Sequence, residues 1–130
     1  MARVTRKKEL GYASTVNHET LRRLAVEVGE ETVSSLLIVF SDELSRYSDQ
    51  LTDAPSPLKV REISHAIKSS AASFGADELA ELARECESRV KLGQDSWVHD
   101  QLPRLTDMLQ GTAIEYKALA SQQDLFNSQG

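Results

Sequence analysis

His65 is followed by Lys68, Ser69 and Ala72 in the stretch SHAIKSSAASFGADELAELARECE, residues 64–87. A helix places these three one and two turns beyond the imidazole on its own face, with Arg61 one turn before it. At about 100° per residue, with His65 at zero, Ile63, Ile67, Phe74 and Val60 fall at roughly 160°, 200°, 180° and 220°. The apolar face therefore points away from the histidine, and the ring is expected to project outward. A neutral imidazole near its unperturbed pKa of about 6.5 carries a nucleophilic lone pair without help from a base. Small side chains at Ser69 and Ala72 leave room for a second macromolecule. The Lys68 ammonium can compensate negative charge on a group bonded to the ring. These properties suit a phosphoacceptor better than a hydrolytic site. On periodicity alone, a surface histidine on a solvated face is the simpler alternative.

The elements that must hold this ring are helical. Gly and Pro are scarce, at 6 and 3 of 130 residues, which disfavours a strand-and-turn architecture. Asn17 can cap a first helix with Val16 and Leu21 as a hydrophobic staple, and Leu21, Leu24, Ala25 and Val28 form its stripe before Gly29. A second helix from about Glu30 to Leu51 follows from Val33, Leu36, Leu37, Phe40, Leu44, Tyr47 and Leu51, spaced by three and four. DAPSP ends it. Ser56 and Pro57 then cap and open a third helix to about Phe74. Gly75 separates this from a fourth, from about Ala76 to Leu92, and Gly93 stops the fourth. Val98, Leu102, Leu105, Leu109, Thr112, Tyr116 and Leu119 mark a last helix. Because Pro103 would remove a backbone hydrogen bond inside it, the expected start is near Asp100, or else a kink at the proline.

The fold expected is all-α: an antiparallel four-helix bundle with a short additional N-terminal helix. Residues 1–15 carry Arg3, Arg6, Lys7 and Lys8 and read as a flexible basic extension, residues 16–120 as the bundle and residues 121–130 as a polar tail.

Several function classes lose support. A net charge of −5 argues against broad nucleic-acid binding. The longest apolar run, LLIVF at residues 36–40, is far too short for membrane insertion, and no leader pattern opens the chain, so a cytoplasmic protein is expected. Cys86 is alone and in register with Leu79, Leu82 and Ala83, which makes it a buried thiol. His18, His65 and His99 share no ligand spacing, so no metal site is expected, and His18 and His99 read as polar residues at helix ends. The acidic pairs Glu30 with Glu31, and Glu85 with Glu87, read as a solvated face and helix-dipole complements.

The segment HAIKSSAASFGADELAELARECE resembles the signature of histidine-containing phosphotransfer domains: a helical histidine, a lysine three residues on, a glycine ten residues on and a leucine-rich helix. His65, Lys68, Gly75, Leu79 and Leu82 fill those places. EISHAIKSSAASFGAD, with the chain length and helix order, is similar to the small phosphorelay proteins of bacterial quorum sensing, and the resemblance spans residues 16–119. Ser69 stands where many such domains have glycine, and Ile67 where leucine is more usual. The resemblance implies that His65 takes a phosphoryl group from the receiver-domain aspartate of a hybrid sensor histidine kinase and passes it to a response-regulator receiver. It implies Lys68 as charge stabiliser and Arg61, Ser69 and Ala72 as docking positions. Mg²⁺ would then belong to the receiver, and this chain would need neither metal nor nucleotide. No Gly-rich nucleotide-binding region accompanies the histidine, so a carrier is expected rather than a kinase fragment, and because one solvent-facing seam is needed for partners and no extra apolar stripe is evident, a monomer is expected. A helical interaction module that is never phosphorylated is the alternative.

Overall fold

The computed structural model describes residues 16–122, which form five helices: α1 (His18–Val28), α2 (Glu30–Thr52), α3 (Pro57–Ser73), α4 (Asp77–Lys91) and α5 (Asp95–Ser121). The basic extension, residues 1–15, and all of the tail beyond Gln122 lie outside the described residues. Among the described residues there is no strand, only one antiparallel bridge between Val16 and Ala76.

Helix boundaries fall where capping chemistry puts them. The Asn17 side chain accepts a hydrogen bond from the Thr20 amide at 3.2 Å, and Ser56 does the same for Lys59 at 3.2 Å, with Pro57 opening α3. Leu21 is buried and Val16 packs against the core, as a staple requires. Val28, expected on the buried stripe of α1, is instead exposed at the helix end.

α2 and α5 pack along their lengths, and so do α3 and α4. Polar pegs set the first pair: the Ser41 hydroxyl donates to the Ala113 carbonyl at 2.7 Å, and the Gln110 amide donates to the Ser48 hydroxyl at 3.0 Å. Both serines are buried, and each bond satisfies a hydroxyl that would otherwise be costly there. The two pairs meet at an aromatic cluster. Phe40 of α2 stacks on Phe74 at 4.7 Å between centroids and takes Tyr116 of α5 edge-on at 5.0 Å, while the Tyr116 hydroxyl donates to the Phe74 carbonyl at 2.7 Å. This fixes the C-terminal end of α3.

Gly75 makes the turn into α4. Its φ is +79°, and a Cβ there would lie 2.8 Å from the Asn17 carbonyl oxygen. The Asn17 amide donates to the Gly75 carbonyl at 2.8 Å and its side chain to Asp77 at 3.1 Å, so the entry to α1 is tied to this turn. Only glycine combines the left-handed conformation with so close an approach.

The last helix departs from the sequence expectation. It begins at Asp95, not near Asp100, and encloses Pro103. An interior proline costs about 3 kcal/mol. The turn preceding it is anchored by burial of Val98, worth about 1.5–3 kcal/mol, and by Trp97, over which the Arg89 guanidinium sits 4.4 Å from the ring centroid. Packing thus outweighs the missing hydrogen bond. His99, expected at a helix end, is consequently an interior position of α5.

Candidate functional site

His65 lies midway along α3 with its side chain 67% exposed, while Ile63, Ile67, Val60 and Ala71 of the same helix are buried. The outward projection inferred from periodicity holds. Arg61, Ser69 and Ala72 are also exposed and share its face. Leu58, seven residues before His65 and 60% exposed, extends that face two turns toward the start of α3. The sequence reading passed over it, although the spacing of seven was visible.

Sequence reasoning also missed the residue that organises the site. Glu87 of α4, expected in a solvated acidic pair, is buried. Its Oε2 lies 2.7 Å from His65 Nδ1 and its Oε1 2.8 Å from Lys68 Nζ, so the histidine does have an acid partner. Lys91 Nζ stands 3.6 Å from Oε2. The physical reason for the burial is register. Leu79, Leu82, Ala83 and Cys86 face the core, and Glu87 continues the 79–83–87 row of that face. A carboxylate in a core-facing row needs partners, and α3 supplies them. A charged residue in an otherwise apolar register was the signal available in the sequence.

The electrostatics follow from this geometry. The hydrogen bond from Lys68 holds the Glu87 carboxyl down at about 2, against the opposing effect of burial and with further help from His65 and Lys91. Glu87 is therefore ionised at neutral pH, and an ionised carboxylate can only accept. The proton must then sit on His65 Nδ1, which donates to Glu87 and leaves the Nε2 lone pair of the neutral ring free. The contact also fixes the plane of the ring, as carboxylates do for metal-bound histidines.

Cys86, next to Glu87, is buried, and burial pushes its thiol up to about 11, so it is no rival nucleophile. Among the described residues, no three His, Cys, Asp or Glu side chains gather into a set that could hold a metal ion. No helix among them is long and apolar enough to cross a membrane. Gly75, Leu79 and Leu82 are all buried, at the turn and along the core face of α4.

Comparisons with known proteins place the chain in one family. The profile of the Hpt domain matches residues 35–114, which include α3 and α4 entire. The chain is 40% identical over 107 residues to the phosphorelay protein LuxU of Vibrio cholerae serotype O1, covering 80% of this chain and 95% of that protein. It is 40% identical over 82 residues to phosphorelay protein LuxU of Vibrio harveyi, covering 61% and 72% of the two chains. With the protein of the same name from Vibrio vulnificus strain YJ016 it shares 38% identity over 104 residues, covering 78% and 90%. No solved structure matches it with significance.

Proposed function

Because the chain belongs to the Hpt domain family, we propose that it is a cytoplasmic phosphorelay intermediate of quorum-sensing signalling, with His65 as the phosphoacceptor. The observation that carries this reading is an exposed imidazole whose Nδ1 proton is held by a buried, ionised carboxylate, leaving Nε2 directed to a docking partner. The partners are the receiver domain of a hybrid sensor kinase and the receiver domain of a response regulator. The protein is a carrier and not an autokinase, and it acts as a monomer. Its helices α2 to α5 form an antiparallel four-helix bundle that serves as a rigid post, with α1 laid across one end.

The transfer balances without a proton entering or leaving. The Nε2 lone pair attacks phosphorus of the donor's aspartyl phosphate, the N–P bond forms, the P–O bond to the aspartate breaks, and the carboxylate leaves with the electron pair. The Nδ1 proton stays on the ring, and Glu87 stabilises the positive charge that develops there. In the second step an aspartate oxygen of the response regulator attacks phosphorus, the N–P bond breaks, and the electron pair returns to Nε2. Keeping the ring protonated at Nδ1 keeps it a good leaving group, so the relay runs in both directions. Transfers of this kind depend on positioning and charge, and the receiver supplies its own Mg²⁺ site. Lys68, held at Glu87, stands ready to face the phosphoryl oxygens. Ser69 and Ala72 give clearance, while Leu58 and Arg61 extend the docking face.

Mixing the protein with a radiolabelled phosphorylated receiver tests this. Label should appear on the wild type as an acid-labile, base-stable adduct and be absent from His65→Gln. Label on both, or on neither, would remove His65 from the role.

A further inference from the structure

Two backbone irregularities and a cleft coincide at the end of the bundle where α2 turns into α3. The cleft, about 500 Å³, opens between Leu51, Thr52 and Ala54 on one side and His99, Pro103 and Thr106 of α5 on the other. Its volume lies within the range of small-molecule sites, about 300–1,000 Å³. His65, Lys68 and Glu87 are not among its walls. One wall holds Ala54, the only non-glycine residue with positive φ among the described residues, at +46°. The other holds the interior proline of α5. Strain of the first kind persists only where the surrounding structure holds the chain in place, so this wall of the cleft is preformed.

Unpaired hydrogen-bond acceptors border this cleft on both sides. Proline has no N–H, so the His99 carbonyl lacks the donor that residue 103 of a regular helix would supply. Across the cleft, α2 ends without a capping amide. Among the described residues no backbone N–H beyond Thr52 donates to its last four carbonyls, whereas each of the other four helices receives such a bond from its cap residue. No basic side chain stands in the last turn of α2, so the negative end of its dipole is left uncompensated. The Thr52 and Thr106 hydroxyls already donate to the Ser48 and Pro103 carbonyls, at 2.7 and 3.0 Å, and can only accept from a ligand.

We propose that the cleft binds a primary organic ammonium, its apolar body lying on Leu51, Pro55 and Leu102 and its N–H groups donating to the unpaired carbonyls. Charge favours a cation over an anion there. The neighbouring depression at the end of α2 presents Asp49 and Asp53 against the single base Lys59. A hydrogen bond from a charged donor is about twice as strong as a neutral one, so carbonyls at a helix end reward an ammonium more than an alcohol or amide. The proposal does not depend on the phosphoacceptor role of His65.

Titration of the full chain with phenethylammonium chloride, followed through amide chemical shifts by NMR, tests this. Sodium hydrocinnamate, which carries a similar apolar body on a carboxylate, is the control. Saturable shifts are expected at Leu51, Thr52, Ala54 and Thr106 with the ammonium and none with the carboxylate. Pro103→Ala supplies the missing N–H and pairs the His99 carbonyl in a helix that the change itself strengthens. It should weaken ammonium binding about tenfold. Thr106→Trp fills the cleft from a half-buried position and should weaken binding by at least as much. Absence of a saturable shift, equal shifts with hydrocinnamate, or an unchanged affinity in either variant would overturn the proposal.

Discussion

The Nδ1–H of His65 donates to Oε2 of Glu87 across 2.7 Å, joining the middle of α3 to a carboxylate 22 residues further along the chain. A hydrogen bond to a charged group is worth about 1.5–3 kcal/mol, and here it selects the tautomer whose Nε2 keeps its lone pair, the one the proposed transfer needs. Glu87→Leu should therefore slow single-turnover label transfer from a phosphorylated receiver by about ten- to a hundredfold. Glu87→Gln retains an acceptor for Nδ1 and should lose much less. Transfer by Glu87→Leu at the wild-type rate would remove the carboxylate from the mechanism.

The same carboxylate makes the fold sensitive to acid. Its pKa falls from an ordinary 4.5 to about 2, chiefly through the hydrogen bond from Lys68. A depressed folded-state pKa means that the unfolded chain binds the proton more readily. The ion cluster thus contributes its full stability above about pH 4.5 and loses it as the pH falls through about 2. Urea midpoints measured from pH 6 down to pH 2.5 should fall more steeply for the wild type than for Glu87→Gln, which has no carboxyl to protonate. Parallel curves would show that Glu87 is not coupled to folding.

Most of the architecture could be read from the chain because its determinants are local. Asn17, Ser56 with Pro57, and the glycines at 29, 75 and 93 mark helix ends by chemistry within four residues, and apolar spacing places the ring of His65 opposite the core. What escaped was non-local. Whether α5 starts near Asp100 or already at Asp95, with Pro103 inside it, depends on the burial of Val98 and the packing of Trp97 under Arg89. The burial of Glu87 depends on what α3 presents across the helix pair. Its register hinted at burial, but only the partners decide whether a carboxylate can remain there.

Gly75 illustrates a family residue whose reason is structural. At φ +79°, with the Asn17 carbonyl oxygen 2.8 Å from where a Cβ would be, Gly75→Ala brings both backbone strain and a clash with backbone. The expected loss is about 1–3 kcal/mol or more, read as a lowered denaturant midpoint with an unchanged slope. Thr20, whose Cβ would also be close, gives no relief, since the nearest atom belongs to the main chain. The folded fraction should still accept label, because Gly75 lies in the turn, ten residues beyond His65. Wild-type stability in Gly75→Ala would mean that the α1 entry is not tied to the turn.

Ala72 provides the sharpest separation of docking from folding. It is exposed on α3, two turns beyond His65 on the same face, whereas its neighbour Ala71 is fully buried. A long side chain at the exposed position meets solvent in the free protein, so Ala72→Arg should leave the thermal midpoint within about 2 °C, a surface effect. On the docking face proposed above, the added bulk would stand in the path of a receiver bringing its aspartate in line with Nε2, and a misplacement of about 1 Å costs roughly a hundredfold in such transfers. Receiver-dependent labelling should fall by at least tenfold, while phosphoramidate, small enough to pass, should label His65 at the wild-type rate. Loss of both reactions would point to a disturbed ring, and loss of neither would place the docking face elsewhere on the molecule.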